Sequence, residues 1–289
     1  MMTLEYFIWG AWLPLIFGYL PSLGFSPGQQ AWILNAFPIA AIVGMFFSNQ
    51  FCDRNFAAEK FLAFSHAIGG LAMLGLAFTK SFWPFLGLML LHCLLYVPTL
   101  SIVNSIAFAH LKDPRRDFGI VRLGGTVGWI LAAWPFTFIL VDWGRVRASQ
   151  SQGIVDWLGT VLGSGLSGPE LKAATAWTYA VAGAASIALA LFSFALPHTP
   201  PRKGGANAGD RLAWLEALKL LKHPFVLVLW LVALIDSFVQ NSYFNWTGGF
   251  LGTPADAGGV GIPGNWIMPV MSVGQISEML AMLLLGAAL

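Results

Sequence analysis

Eight continuous apolar stretches, each close to the length of a membrane-crossing helix, constrain this chain more than any other feature. They lie at roughly 5–24, 31–51, 60–79, 82–108, 119–141, 174–196, 225–249 and 265–289. About 20 apolar residues in helical form cross the hydrocarbon layer of a bilayer, and inside that layer only helices or closed barrels satisfy their own backbone polar groups. A barrel requires apolar and polar residues to alternate, and these runs are unbroken. The expectation is an all-α protein with about eight transmembrane helices. Composition agrees, since 57% of the 289 residues are hydrophobic, 10% are charged and mean hydropathy is +0.72.

Basic residues orient the stack. With the N-terminus in the cytoplasm, Arg54, Lys60, Lys112, Arg115, Arg116, Arg202, Lys203, Arg211, Lys219 and Lys222 fall on the inner side. Lys80, Arg145, Arg147 and Lys172 then fall on the outer side. The positive-inside rule selects this arrangement. The first stretch lacks a basic leader and a small-residue cleavage site, so it reads as a retained span. After the sixth stretch come Pro200, Pro201 and a glycine-rich run at 204–209. Arg211 to His223 follows with Leu212, Leu215, Leu218 and Leu221 on one face, as in a helix lying at a membrane surface. The division expected is an N-terminal six-helix bundle at 1–197, a cytoplasmic linker with an amphipathic helix at 198–224, and the first two helices of a second bundle at 225–289. Transporters built from two six-helix halves share this layout. Because only two stretches follow the linker and the sequence stops inside an apolar run, a C-terminally incomplete twelve-helix protein is expected.

Polar groups inside the stretches mark the candidate site. Arg122, Thr126 and Trp129 are spaced i, i+4, i+7 and project from one side of the fifth helix. A guanidinium at membrane depth costs about 2.5 to 3.5 kcal/mol on insertion scales, so it needs a polar partner. The bland alternative is an arginine that snorkels to the inner headgroups. Gly124 and Gly128 form a small-xxx-small pair that suits close helix packing. Gln275 and Glu278 sit one turn apart in the eighth stretch and face one way, and a carboxyl there must be protonated or paired. Gln240, Asn241, Tyr243 and Asn245 form a polar cluster in the seventh stretch suited to ribose hydroxyls or base edges. Asp236 either pairs with Arg122 or satisfies a neighbouring helix. Tyr96, Pro98, Thr99 and Asn104 interrupt the fourth stretch, where proline removes a backbone hydrogen bond. Glu5 reads as a solvated carboxylate near the interface, and Trp9, Gly10 and Trp12 as packing or belt residues.

Other chemistry finds no support. Cys52 and Cys93 read as buried small residues. The five histidines lack paired metal spacing, and no nucleophile elbow or phosphate-cradling loop occurs, so neither an enzyme nor a cofactor is expected. A net charge of +2 without a basic, aromatic-interleaved surface argues against nucleic acid.

The segments Glu5 to Trp12, Tyr96 to Ser105, Ile120 to Trp129, Leu196 to Pro200 and Gln275 to Glu278 together resemble the bacterial nucleoside:proton symporters of the major facilitator superfamily. The resemblance runs along the whole chain in order. It implies a twelve-helix fold that moves a nucleoside and a proton across the bacterial inner membrane by alternating access, in a protein that works as a monomer in its lipid bilayer. By position it places substrate binding on Arg122, Thr126, Trp129, Gln240, Tyr243, Gln275 and Glu278, with Glu278 as the proton-coupling candidate. Arg122 would donate to a hydroxyl or carbonyl, and Trp129 would stack on the base. Asp53 and Arg54 resemble the superfamily's loop between spans two and three. Alternatives are another small solute such as a sugar, or a non-transporting sensor or partner protein.

Overall fold

The computed structural model describes residues 1–201 and 218–288, with side chains described throughout except at 45–54, 115, 245, 282–283 and 285–288. Within those ranges the chain is helical, and its one extended pairing is an isolated bridge between Val141 and Gly165. The helices are α1 (Met2–Ser22), α2 (Pro27–Leu34), α3 (Ala36–Asn55), α4 (Ala58–Phe78), α5 (Phe82–His110) and α6 (Pro114–Ile139). Then follow the short α7 (Trp143–Ala148) and α8 (Ile154–Gly163), α9 (Gly168–Ser193), α10 (Pro224–Gly252) and α11 (Gly264–Ala288). Helices α4, α5, α9 and α10 are both long and apolar enough to cross a membrane by length and composition. The protein is a multi-pass membrane protein. Its large exposed side chains, such as Phe78, Trp83, Phe225 and Phe238, fit a solvent of acyl chains better than water.

Local chemistry moves several boundaries away from those expected. The second apolar stretch divides at Asn35 into α2 and α3, and α2 begins with a capping box in which Ser26 and Gln29 satisfy each other's backbone N–H groups. The fifth stretch begins at Pro114, earlier than hydropathy places it, because proline is preorganised for the first helical turn and Asp117 complements that turn's dipole. The insertion at Trp143 to Lys172 folds into α7, which Asp142 caps through the Arg145 N–H at 3.0 Å, and into α8. The amphipathic segment lies largely outside the described residues, which resume at 218 and close into a 3-10 turn at Leu220–Lys222. The side chains of Cys52, Asp53, Arg54 and Asn245 are also outside them.

Two glycine-lined seams, α4–α9 and α1–α6, bring long helices into backbone contact. On the α4–α9 seam Gly70 and Gly183 face each other, and a Cβ on either would fall 3.0 or 2.9 Å from the other's carbonyl oxygen. On the α1–α6 seam a Cβ at Gly128 would overlap the Thr3 carbonyl, and one at Gly124 would meet Thr3 Oγ1 at 3.2 Å. The small-xxx-small pair is therefore a packing device, as van der Waals association between membrane helices requires. Between the seams lies a core of Ile8, Trp12, Ile16 and Leu20 from α1 with Met73, Phe85, Phe136 and Tyr179. Cys93 is buried there too, and Trp12 packs against His92 and Tyr179. At one end Glu59 accepts hydrogen bonds from His198 Nδ1 at 2.7 Å and from the Thr199 N–H at 3.0 Å, clasping the start of α4 to the chain leaving α9. Helix α11 packs on α6, and no residue in the most apolar stretch of α10 is buried.

One expectation is overturned. Glu5 is not a solvated carboxylate: it is fully buried, 2.9 Å from His66 Nε2 and 2.7 Å from the Thr99 hydroxyl, and its backbone carbonyl accepts from the Tyr96 hydroxyl at 2.7 Å. Position within an apolar run gives depth along the helix normal. Which face the side chain takes depends on α4 and α5, which the run does not contain.

Candidate functional site

The site grows from the glycine row of α6. Without side chains at 124, 125 and 128, the first turns of α1 lie directly on α6 and bring Tyr6 over Gly125. A Cβ at Gly125 would fall 2.7 Å from the Tyr6 ring and 2.8 Å from Arg122 Nη1. The same gap thus accommodates the aromatic ring and the guanidinium that folds back across it. Arg122 Cζ stands 4.4 Å from the centroid of Tyr6. Such a cation–π contact is worth about 0.5 to 2 kcal/mol, more as water is excluded. The arginine is half-buried against α1 and Nη1 is fully covered, so it does not reach away as a free snorkelling side chain would.

One and two turns further on, Thr126 and Trp129 are buried on the same side of α6. Trp129 meets Trp9 edge to face at 5.5 Å, and Trp9 stacks on Phe37 at 4.9 Å with ring planes 9° apart. The other side of Trp129 meets Phe244 of α10 at 5.3 Å. A wall of aromatic faces and edges thus links α1, α3, α6 and α10 next to the single cation. Phe244 also lines a cavity of about 910 Å³ together with Phe17, Tyr19, Lys172, Thr175 and Trp246. That volume lies in the range of small-molecule sites. Arg122, Gln275 and Glu278 are not among the residues lining it.

The remaining sequence-predicted residues divide between α11 and α10. Gln275 is half-buried and Glu278 exposed on α11, the helix that packs on α6. Glu278 lies within electrostatic reach of Tyr6, which also feels Arg122 and Glu5. The Tyr6 hydroxyl therefore sits in the joint field of one cation and two carboxyl groups, a position that its place beside Glu5 in the sequence does not advertise. Tyr243 donates to the Met271 carbonyl at 2.9 Å and so ties α10 to α11. Gln240 is exposed on α10, as are Asp236 and Asn241, whose amide donates to Ser237 O at 2.9 Å. Among the described residues Gln240 makes no hydrogen bond, and neither Asp236 nor Glu278 lies within ion-pair distance of Arg122.

Three buried polar atoms in this region have no hydrogen-bond partner among the described residues: Trp9 Nε1, Arg122 Nη1 and Gln275 Oε1. Two are donors and one is an acceptor. Leaving such atoms unpaired in a dry interior costs about 1 to 3 kcal/mol each, more for a charged group. A solute pairing with all three would have to supply acceptors to Arg122 and Trp9 and a donor to Gln275. Sequence reasoning missed Tyr6, Glu5 and His66. Their only signal was polar chemistry inside an apolar run, and their partners are set by helix packing.

The chain matches the family model described as "Nucleoside H+ symporter" over residues 1–164 and 165–289. It is 32% identical over 285 residues to the putative nucleoside transporter YegT of Escherichia coli (strain K12), covering 99% of this chain and 60% of that protein. The xanthosine permease and the nucleoside permease NupG of the same organism are each 25% identical and are covered over 50% of their length. The chain thus spans about half to three-fifths of these relatives. A crystal structure of a mutant of NupG superposes with a TM-score of 0.69 at 23% identity, covering 96% of this chain and 64% of that one. A second NupG structure gives 0.66 at 22% identity. These likenesses show the fold, which is that of the major facilitator superfamily. With the whole sequence matched, the chain belongs to the nucleoside H+ symporter family.

Proposed function

We propose that the protein takes part in proton-coupled nucleoside import by alternating access, with Arg122, Thr126, Trp129, Gln240, Tyr243, Gln275 and Glu278 forming the substrate site and Glu278 a proton-coupling group. The observation that carries this reading is the pair of unpaired buried groups on helices that pack together: the Arg122 donor on α6 and the Gln275 acceptor on α11. A nucleoside offers both complements, since its base and ribose carry carbonyl acceptors and hydroxyl or amino donors, and its base has a face for Trp129. Family membership supports the same cargo. A charged hydrogen bond contributes about 1.5 to 3 kcal/mol, which is roughly tenfold or more in affinity.

In this reading residues 1–197 form one bundle, 198–224 a linker on the cytoplasmic side, and 225–289 the opening helices of a second. The N-terminus lies in the cytoplasm, the membrane is the bacterial inner membrane, and the working unit is a monomer. Substrate and proton move together because both favour the same alternating states. The test is uridine binding to the purified protein in lipid nanodiscs. R122A and Q275A are expected to weaken binding at least tenfold while the protein stays folded. Unchanged affinity in folded R122A overturns the reading.

A further inference from the structure

Glu5, His66, Thr99 and Ser186 come from α1, α4, α5 and α9 and meet out of contact with solvent, none of them more than 1% exposed. Counting hydrogens fixes the state of this cluster. Ser186 has one hydroxyl hydrogen and donates it to the His66 carbonyl at 2.9 Å. The 3.0 Å contact between the same oxygen and His66 Nδ1 therefore needs its hydrogen on the ring. His66 Nε2 lies 2.9 Å from Glu5 Oε2, and one hydrogen between them completes that bond. The Thr99 hydroxyl lies 2.7 Å from Glu5 Oε1, so two donors converge on Glu5 when it is a carboxylate and His66 an imidazolium. The pair is then neutral as a whole, which is what burial favours.

Thr99 makes the cluster more than a structural ion pair. Its single hydrogen has two acceptors, Glu5 Oε1 and the Tyr96 carbonyl. We propose that the Glu5–His66 pair is a proton-binding site in its own right, separate from Glu278, which takes up one further proton on Glu5 Oε1. The arriving proton forms an O–H bond at Oε1 and no other covalent bond changes. Thr99 turns its hydrogen onto the Tyr96 carbonyl and accepts from the new Oε1–H. The ring still donates from Nδ1 to Ser186 and from Nε2 to Oε2. Every polar atom keeps a partner in both states, and the net charge of the cluster rises from zero to one.

Neighbouring groups set how readily this occurs. On α1 the Met1 amino group and Tyr6 face Glu5. On α5 His92 faces His66, and Tyr96 faces Glu5 with Cys93 beside it. Through Tyr6 the cluster is linked to Arg122 of α6 and Glu278 of α11, while α9 contributes only the Ser186 hydroxyl. The cations at Met1 and Arg122 oppose the added charge and Glu278 favours it.

The site is tested without substrate, so its failure leaves the nucleoside reading standing and the reverse also holds. Infrared spectra of the whole chain in nanodiscs are recorded as pH falls, and the spectrum of E5Q is subtracted. Glutamine keeps the shape and can donate to His66 Nε2, so E5Q is expected to fold. The difference is expected to show the carbonyl stretch of one buried carboxylic acid that grows with acidity. A featureless difference, or a band constant with pH, overturns the proposal. T99V gives a second measurement in a variant that retains Glu5. Valine removes both the hydroxyl's hydrogen bond to the charged carboxylate and its acceptance from Oε1–H; the charge-assisted bond is the stronger of the two, so the midpoint of the band is expected to rise by about one pH unit, a tenfold gain in proton affinity. An unmoved midpoint overturns it as well.

Discussion

Helices α4 and α10 are equally apolar by composition, yet half of the most apolar stretch of α4 is buried against protein and none of α10's is. Hydropathy reports that a segment prefers lipid to water. It does not report whether the segment prefers another helix to lipid. One difference between the two is residue size. Helix α4 presents Ala63, Ser65, Gly69, Gly70 and Ala72 to its neighbours, which lets backbones approach and polar side chains meet. The corresponding surface of α10 is Phe225, Leu229, Trp230, Val232 and Phe238, side chains that cover a helix without leaving room for another backbone.

This difference can be broken by a paired substitution. A Cβ at Gly183 would fall 2.8 Å from Leu74 and 2.9 Å from the Gly70 carbonyl, whereas a Cβ at Gly249 of α10 would meet nothing within 4 Å. G183L is expected to lose folded protein outright, because overpacking costs of about 1 to 3 kcal/mol apply where side chains can yield, and backbone cannot. G249L is expected to stay within about 0.5 kcal/mol of the parent. Size-exclusion profiles and thermal melts in detergent read both, and equal behaviour of the two removes the distinction.

A smaller effect is expected at the end of the packed region. E59A leaves the Thr199 N–H and His198 without their shared acceptor and should cost about 1 to 3 kcal/mol in thermal stability. A melt unchanged by E59A would mean that the seams alone hold α4 to α9. A smaller cost again is expected at the site. Y6L removes the ring beneath Arg122 and should cost about 0.5 to 2 kcal/mol. A stabilised Y6L would show that the arginine is held by something other than that ring.

Much of this architecture could be read from the chain. The apolar runs located the long helices, the small-xxx-small spacing marked a close-packing face of α6 without naming its partner, and the i, i+4, i+7 pattern placed Arg122, Thr126 and Trp129 on one face. Glu5 could not be read correctly, since its partners His66 and Thr99 lie 61 and 94 residues away on other helices. Tyr6 was invisible for a related reason. Its role depends on Gly125, whose missing side chain becomes meaningful only once α1 lies on α6. The start of α2 at Pro27 is written in Ser-Pro-Gly-Gln, a capping signature that hydropathy averages away, whereas the break at Asn35 carries no such mark.

Asn265, at the start of α11, is buried and its amide points at the carbonyls of Thr137 and Val161, at 3.4 and 3.5 Å. The helix is thereby tied near its start to α6 and α8. A rod of 25 residues at about 1.5 Å per residue is roughly 37 Å long, and Glu278 sits about 20 Å from the tied end. Pivoting that rod by about 10° would sweep the Glu278 backbone through roughly 3 Å, the span of one hydrogen bond. A lever of this kind converts a modest tilt into a displacement at Glu278 as long as one polar contact.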